Sequence, residues 1–179
     1  MTGRTSRSSR LVEFGVGGLS TVAAMLALVH CSGVRINLTR SIPIGVYRVV
    51  GDGSPVRRGD VVLACLPSSV ARLAHDRGYV PRGGSCPGGL VPIGKLVMAL
   101  AGDTVVVSSD GLRVNGQSVQ NSRALMRDAA GRELRGIPSG RYPVSSGEVW
   151  LIGVSPRSFD CRYIGPVPIR NVIARLAQK

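Results

Sequence analysis

Three short segments of the chain carry side chains that could together perform acyl-transfer chemistry. The segment TRSIP presents Ser41 just before an Ile-Pro pair, and GKLVMAL presents Lys95 at the start of an apolar run. The segment SFDCRYIGPV presents Ser158, Asp160 and Arg162 at alternating positions. A serine hydroxyl becomes a nucleophile when a neighbouring base takes its proton, and a neutral lysine can be that base.

Lys95 is an unusual residue in this chain. Of the 23 basic residues only Lys95 and the C-terminal Lys179 are lysines, and unlike arginine a buried lysine can lose its proton. To act as a base near neutral pH its pKa would have to fall from about 10.4 to near 7, which requires about 4 kcal/mol. The apolar residues 96–98 can supply that desolvation if the fold buries the amine. A hydroxyl such as that of Ser158 could then orient it.

Histidine and metal chemistry are less well supported by the sequence. His75 falls within a predicted surface helix and His30 follows an apolar N-terminal run, so a Ser/His/Asp triad is disfavoured. The chain has no closely spaced pair of cysteines, and its two histidines, His30 and His75, are far apart in sequence. We therefore expect neither a metal nor another cofactor.

Four segments resemble the signal peptidase I superfamily of membrane-anchored Ser/Lys endopeptidases, and in particular its conjugal-transfer, TraF-type branch. They are, in chain order, NLTRSIPIGVYRV, RRGDVVLACL, GKLVMALAGDTVVVSSDGLRVNG and SFDCRYIGPV. Any one of these segments alone would be a weak signal, but their order and spacing together make the resemblance specific. It covers most of residues 37–170.

The resemblance implies a role for each matching residue. Ser41 would be the nucleophile and Lys95 the general base. Thr39 occupies the place of a hydroxyl that helps the N–H of Ser41 to form the oxyanion hole. Ser158 would orient Lys95.

The role of Asp160 is left open by the resemblance. This residue resembles an essential acidic position of the TraF-type branch, and it could either contribute directly to catalysis or form a structural salt bridge with Arg162. Its spacing from Ser158 and Arg162 predicts an extended segment that places the three side chains on one face. Two features depart from the wider family: Cys161 stands where a small serine is common, and IGVSPR lacks the Gly-Asp-Asn run of housekeeping signal peptidases. The second departure favours the specialised branch.

The elements that must position these residues are mainly short β-strands separated by turns. The sequence predicts a mainly β, signal-peptidase-like antiparallel catalytic domain with one N-terminal transmembrane helix and a short helical, disulfide-bracketed insert. Strands are predicted over 44–50, 59–66, 95–100, 104–107 and 148–152. Asn115-Gly116 predicts a tight hairpin turn, because both central positions of such a turn need positive φ.

An insert at about 67–92 interrupts the predicted sheet. Residues 68–78 predict a short helix with Ser68 as its cap and Gly78 at its end, and PRGGSCPGG is expected to be loop. Cys65 and Cys86 bracket the insert and could form a disulfide worth about 3 kcal/mol, although four cysteines allow three full pairings. An insert bracketed in this way is also typical of the TraF-type branch.

The N-terminal segment predicts a membrane anchor. Residues 11–29 are largely apolar and as a helix would span about 28 Å, close to the thickness of the hydrocarbon core. We expect a basic cytoplasmic tail (1–10), a transmembrane signal anchor (11–30) and a periplasmic Ser/Lys peptidase domain (31–179) at the bacterial inner membrane. The alternative, a cleaved signal peptide, would have a shorter apolar region ending in a small-residue cleavage site.

The formal net charge of +13 could indicate nucleic-acid binding, but the charges are scattered and aromatic residues make up only 4%. The expected partners are therefore the inner membrane and a membrane-inserted substrate, either a pilin precursor or another signal-peptide-bearing protein, with no nucleic acid.

The resemblance implies a serine endopeptidase that processes the pilin of a conjugal DNA-transfer system and could also cyclise it. A general signal peptidase and a non-catalytic envelope scaffold are the alternatives. A self-cleaving repressor is disfavoured because no DNA-binding module is found.

Overall fold

The structure, a computed structural model, describes residues 33–52 and 55–179. The chain divides into two units, Met1–Arg35 and Ile36–Lys179, and the described part of the first is limited to residues 33–35. The predicted tail (1–10) and anchor (11–30) lie outside the described residues. Within 33–52 and 55–179, no helix has the length and apolar character needed to span a membrane.

The described residues form mainly β-strands. The strands are β1 Val34–Asn37, β2 Gly45–Gly51, β3 Val61–Ala64, β4 Arg82–Cys86, β5 Ile93–Leu100, β6 Thr104–Ser108, β7 Gly111–Val114, β8 Gln117–Ser118, β9 Gly140–Pro143, β10 Glu148–Ile152, β11 Val167–Pro168 and β12 Val172–Gln178. The helices are α1 Ser68–Asp76 and α2 Cys161–Ile164, with 3-10 turns at Pro87–Gly89 and Ile169–Asn171. The predicted mainly β class is confirmed.

Apart from β4, these strands form two sheets, in which the strands from β2 onward pair in antiparallel fashion. The larger has seven strands in the order β1-β2-β12-β3-β5-β10-β11, and the smaller has four in the order β8-β7-β6-β9. Strand β5 pairs with β3, where Lys95 lies opposite Val62, and with β10, where Val97 lies opposite Leu151. The strand that carries Lys95 is thus a neighbour of the strand that leads into the Ser158 segment.

A continuous apolar core joins the two sheets. Val62, Val97 and Trp150 from the larger sheet and Val105 from the smaller one are fully or almost fully buried in a single cluster. β-branched and aromatic side chains favour such pleated, buried surfaces, which explains why these segments form strands. The larger sheet, which carries Lys95, is thereby packed against the smaller one.

Helix α1 begins one residue earlier than its predicted cap implied. Ser68 is the first helical residue and Pro67 is the N-cap, so the prediction that Ser68 caps the helix is wrong. The carbonyl of Pro67 accepts the N–H groups of Val70 and Ala71, each at 3.0 Å. At the other end Gly78 has φ +72°, which is the left-handed conformation that favours glycine after a helix.

The segment after α1 is more ordered than a loop. The prediction that PRGGSCPGG is entirely loop is wrong, because Arg82–Cys86 forms strand β4 and bridges join both ends of that strand to Leu90. The predicted disulfide between Cys65 and Cys86 is present, with the two Cα atoms 5.4 Å apart. A second apolar cluster that includes Leu66, Ala74 and Val80 packs around it.

Candidate active site

Ser41 lies in the connection between β1 and β2, and two contacts hold it against the larger sheet. The next residue, Ile42, is buried, and its Cδ1 lies 2.9 Å from the position that a Cβ would take on Gly94. The carbonyl of Ser41 accepts the N–H of Val154 at 2.9 Å. Ser41 is thereby placed beside both the strand that carries Lys95 and the segment that follows β10.

Lys95 is the third residue of β5 and its side chain is buried, with 2% of the residue exposed. The Nζ atom donates a hydrogen bond to Ser158 Oγ at 2.5 Å. Burial lowers the pKa of Lys95 from 10.5 to about 8, against the opposing effect of the Asp160 negative charge. A substantial fraction of this amine is therefore neutral at slightly alkaline pH.

The Ser158 hydroxyl lies between Lys95 and Ser41. Its Oγ also donates to Ser41 Oγ, at 3.4 Å, while Ser158 as a whole is 5% exposed. Gly153 makes this approach feasible, because a Cβ at that position would lie 2.1 Å from Ser158 Oγ. The three polar side chains thus form one continuous hydrogen-bonded path.

Asp160 and Arg162 form a completely buried ion pair behind this path. The Arg162 guanidinium donates to both carboxylate oxygens, from Nε to Oδ1 at 2.8 Å and from Nη2 to Oδ2 at 2.7 Å. The N–H of Gly153 also donates to Asp160 Oδ2, at 2.8 Å. The salt bridge considered from the sequence is present, and a direct catalytic contribution of Asp160 stays a prediction.

The predicted extended conformation of residues 158–162 is wrong. Residues Cys161–Ile164 form α2, and Asp160 is its N-cap, whose side chain accepts the N–H of Arg162 at 3.2 Å. An aspartate that accepts a free N–H of a first turn favours a helix start, and here this preference prevails over the alternating pattern. The three side chains meet through the cap and the ion pair rather than through a shared strand face.

Arg162 also fixes the loop that carries Ser158. Its Nη2 donates to the carbonyls of Ser155, at 2.9 Å, and Ser158, at 3.0 Å. Its Nη1 donates to Pro156, at 3.0 Å, and to Asn121, at 2.7 Å. The sequence suggested an ion pair for Arg162, and the structure gives it this wider role of holding several backbone segments.

The structure places Thr39 in the turn before Ser41, exposed to solvent. Its hydroxyl donates to Asn37 Oδ1 at 2.7 Å, and its N–H donates to the same oxygen at 3.1 Å. In this structure the hydroxyl proton therefore points to Asn37. Asn37 was not predicted as a site residue, although asparagine side chains commonly bond the backbone two residues on.

A cleft of about 210 Å³ opens over the Ser41, Lys95 and Ser158 side chains. Residues from two segments that the sequence analysis did not assign to the site line its walls, among them Tyr79, Val80, Leu125 and Leu134. The lining is mixed apolar and polar.

The insert and the segment 125–134 are joined by polar contacts at this wall. Tyr79 OH donates to Asp128 Oδ2 at 2.6 Å, and Arg132 Nε donates to the same oxygen at 2.7 Å. Arg77 Nη1 donates to the carbonyl of Glu133 at 2.7 Å. The Tyr79 hydroxyl and the Arg132 contacts hold the pKa of Asp128 well below its usual range, so this carboxylate stays charged at neutral pH.

Two other reactive side chains have partners of their own. His75 lies in α1, where its Nδ1 is 3.2 Å from the carbonyl oxygen of Val80. Cys161 is a free, buried cysteine whose thiol donates to the carbonyl of Leu151, and burial raises its pKa well above the usual value. Ser41 and Lys95, by contrast, both line the cleft.

Comparison with known proteins places this geometry in a family. The model of the family described as "Signal peptidase, peptidase S26" matches residues 11–178. The chain belongs to this family. The resemblance that four sequence segments indicated is confirmed.

Several curated relatives are similar over most of the chain. "Plasmid transfer protein TraF" of Escherichia coli is 36% identical over 170 residues, which cover 94% of each protein. "Probable conjugal transfer protein TraF" of Sinorhizobium fredii (strain NBRC 101917 / NGR234) is 36% identical, over 100% of this chain and 93% of the relative. "Conjugal transfer protein TraF" of Agrobacterium tumefaciens (strain 15955) is 37% identical, over 94% of each protein. The predicted likeness to the TraF-type branch is confirmed.

Among solved structures, a signal peptidase I of Enterococcus faecalis V583 matches 69% of this chain and 98% of its own chain. The sequence identity is 21% and the TM-score is 0.38.

Proposed function

We propose that this protein is a membrane-anchored serine endopeptidase that processes the pilin precursor of a conjugal DNA-transfer system. Membership of the signal peptidase family supports peptide-bond chemistry. The names of the relatives, which refer to plasmid and conjugal transfer, support the biological setting. The pilin as substrate comes from the resemblance to the TraF-type branch.

The observation that carries the proposal is the path from Lys95 through Ser158 to Ser41 at the base of the cleft. The buried Lys95 amine, with its pKa near 8, can be neutral, and its bond to Ser158 holds it beside the nucleophile. The Ser41 oxygen attacks a substrate carbonyl while Lys95 takes up the hydroxyl proton. Lys95 then returns this proton to the leaving amine, and an acyl-enzyme remains.

The acyl-enzyme can be resolved in two ways. Attack by water releases a linear product, whereas attack by an amine of the same polypeptide gives a cyclic one. In either step the N–H of Ser41 and the Thr39 hydroxyl would stabilise the oxyanion. Thr39 takes this role when its hydroxyl turns from Asn37 towards the reacting carbonyl.

The surface around Ser41 supports a substrate at the bilayer. Ile36, Leu38 and Ile44 flank the nucleophile and are 65%, 79% and 60% exposed. Such an apolar surface favours contact with lipid or with a membrane-inserted partner. In the proposed arrangement the catalytic unit lies on the periplasmic face of the inner membrane, anchored by the N-terminal segment.

The test is processing of the pilin precursor in cells that carry the transfer system but lack the chromosomal or plasmid copy of this protein. Full-length Ser41→Ala and Lys95→Ala should each lower the processing rate by at least about a thousandfold, as loss of a nucleophile or base does in other serine proteases. Ser69→Ala in α1 and Lys179→Ala at the C-terminus are matched controls, because both residues are exposed. These controls should process at the wild-type rate.

Wild-type processing by Ser41→Ala or Lys95→Ala would contradict the proposed dyad. The mass of the mature pilin separates the two products, since a cyclic chain weighs one water less than the linear chain. If the protein instead replaces a depleted housekeeping signal peptidase, it is a general signal peptidase and the specialised substrate is wrong.

A further inference from the structure

The Asn37 side chain, at the end of β1, lies at the centre of the turn that carries Ser41. Its Nδ2 atom donates to the carbonyl oxygens of Thr39 at 2.7 Å, Ile42 at 3.0 Å and Pro43 at 3.0 Å. Its Oδ1 atom accepts the N–H of Thr39 at 3.1 Å and the Thr39 hydroxyl at 2.7 Å. One amide therefore binds backbone groups on both sides of the nucleophile.

These contacts need the chemistry of an amide. Three backbone carbonyl oxygens accept hydrogen bonds from the Asn37 nitrogen, and the N–H and hydroxyl of Thr39 donate to its oxygen. The turn therefore needs a donor and an acceptor on one planar group. A carboxylate could keep the bonds from the Thr39 N–H and hydroxyl but would face the carbonyls of Thr39, Ile42 and Pro43 with negative charge. An alanine would leave all five groups without this partner.

The other side of the turn has separate supports. Tyr47 OH donates to the carbonyl of Pro43 at 2.7 Å, and the N–H of Val154 donates to the carbonyl of Ser41 at 2.9 Å. On the side before Ser41, Leu38, Thr39 and Arg40 are exposed, and packing there cannot replace the amide. Asn37 is thus the polar group that ties the entry of the turn to its exit.

We propose that Asn37 is a positioning residue of the active site, which sets the place of Ser41 and of the Thr39 backbone through this turn. The inference rests on the proposed roles of Ser41 and Thr39. It assigns Asn37 no contact with the reacting atoms. Because small misplacement of a reacting group can lower a rate by about a hundredfold, the loss of the amide should be visible mainly in kcat.

The test uses full-length Asn37→Ala and the nearly isosteric Asn37→Asp, which keeps the acceptor and removes the donors. Each should lower kcat for precursor cleavage by between about 10-fold and 100-fold, with KM changed by less than about threefold. If Asn37→Ala folds poorly, the kcat of Asn37→Asp still tests the proposal.

Asn115→Ala is the matched control. Asn115 also fixes a turn with its amide, where Oδ1 accepts the N–H of Thr104 at 2.8 Å and Nδ2 donates to Asp103 Oδ1 at 2.9 Å. Asn115 itself lies between β7 and β8, its amide bonds the turn between β5 and β6, and neither turn lines the cleft. Asn115→Ala should lower the melting temperature while kcat stays within twofold of the wild type.

Hydrogen exchange at the Thr39 amide gives a readout that does not depend on catalysis. Asn37→Ala should speed this exchange by at least about tenfold, because the acceptor of the N–H is lost, and Asn115→Ala should leave it unchanged. If the wild type itself cleaves nothing, the proposed function fails, and the exchange rates still decide the structural part of the inference. The inference is overturned if both Asn37 variants keep kcat within twofold of the wild type, if Asn115→Ala lowers kcat equally, or if Thr39 exchange does not change.

Discussion

The burial of the Lys95 amine lowers the stability of the folded protein. Its pKa is about 8 in the folded protein, against 10.5 for an exposed lysine, so the folded state binds fewer protons than the unfolded state between these pH values. Stability therefore rises with pH through this window, and below about pH 8 the full penalty applies. Since one pKa unit corresponds to about 1.4 kcal/mol, the penalty at pH 7 is on the order of 3 kcal/mol.

Replacing the Lys95 amine with an apolar side chain of similar length should remove this penalty. Lys95→Met should raise the free energy of unfolding at pH 7 by up to about 3 kcal/mol, reduced by the lost bond to Ser158. The gain should shrink as pH rises from 8 to 10.5, while peptidase activity is lost at every pH. Urea unfolding of both proteins across this range measures the difference. A variant less stable than the wild type at pH 7 would show that the buried amine is not destabilising.

The ion pair of Asp160 and Arg162 contributes little net charge to the Lys95 environment. The Asp160 charge raises the pKa of Lys95 and the Arg162 charge lowers it, so burial determines the direction. Both side chains are fully buried, and removing either would leave an uncompensated charge. Because the same guanidinium binds the carbonyl of Ser158, the pair also fixes the residue that orients Lys95.

At the scale of elements, alternation and length predicted the sheet strands well. The predicted strand 148–152 coincides with β10, and 95–100 falls within β5, because short apolar runs bounded by turn residues favour buried strands. The prediction failed at residues 158–162, where a capping aspartate starts a helix. It also failed at β4, whose glycine-rich sequence lacks the usual strand composition.

The site was predictable where its chemistry depends on residue type. Ser41, Lys95 and Ser158 were identified from the sequence, and the structure brings them together. Asn37 and the wall formed by the insert and segment 125–134 were missed, because they depend on side-chain bonds to the backbone and on contacts between distant segments. The periodicity of apolar residues, from which strands and helices are predicted, indicates neither Asn37 nor this wall.

The disulfide-closed insert permits a prediction about one element. Cys65 and Cys86 are 21 residues apart, and a cross-link over such a loop stabilises a fold by about 3 kcal/mol. The double variant Cys65→Ala, Cys86→Ala should lose about this much stability in urea unfolding. As a control, a reducing agent should destabilise the wild type and leave the double variant unaffected. Equal unfolding midpoints for the oxidised wild type and the double variant would contradict a stabilising role.

At the scale of the whole molecule, the net charge of +13 and the exposed apolar residues near Ser41 suit the proposed position at a membrane. Anionic lipid attracts scattered arginines, and the apolar surface can contact the acyl region. Such an arrangement would bring the cleft close to a substrate that is itself inserted in the bilayer.

The fold also unites three segments that are distant in sequence. Ser41 precedes β2, Lys95 lies in β5 and Ser158 follows β10, and the proposed chemistry requires all three at one place. The pairing of β5 with β10 and the anchoring of Ile42 over Gly94 achieve this. We propose that this assembly makes Ser41 a nucleophile whose reactivity depends on a neutral lysine.

The rate of Ser41 acylation as a function of pH shows whether the serine depends on a neutral Lys95. Full-length protein is treated with a serine-directed acylating probe, and intact-mass measurement follows the rate at which one acyl group is added. The rate should rise with pH to a plateau above about 8, where Lys95 is neutral, and Lys95→Met and Ser41→Ala should remain unlabelled. Labelling of Ser41→Ala at the wild-type rate, or a wild-type rate without a rise near pH 8, would contradict the Ser41/Lys95 dyad.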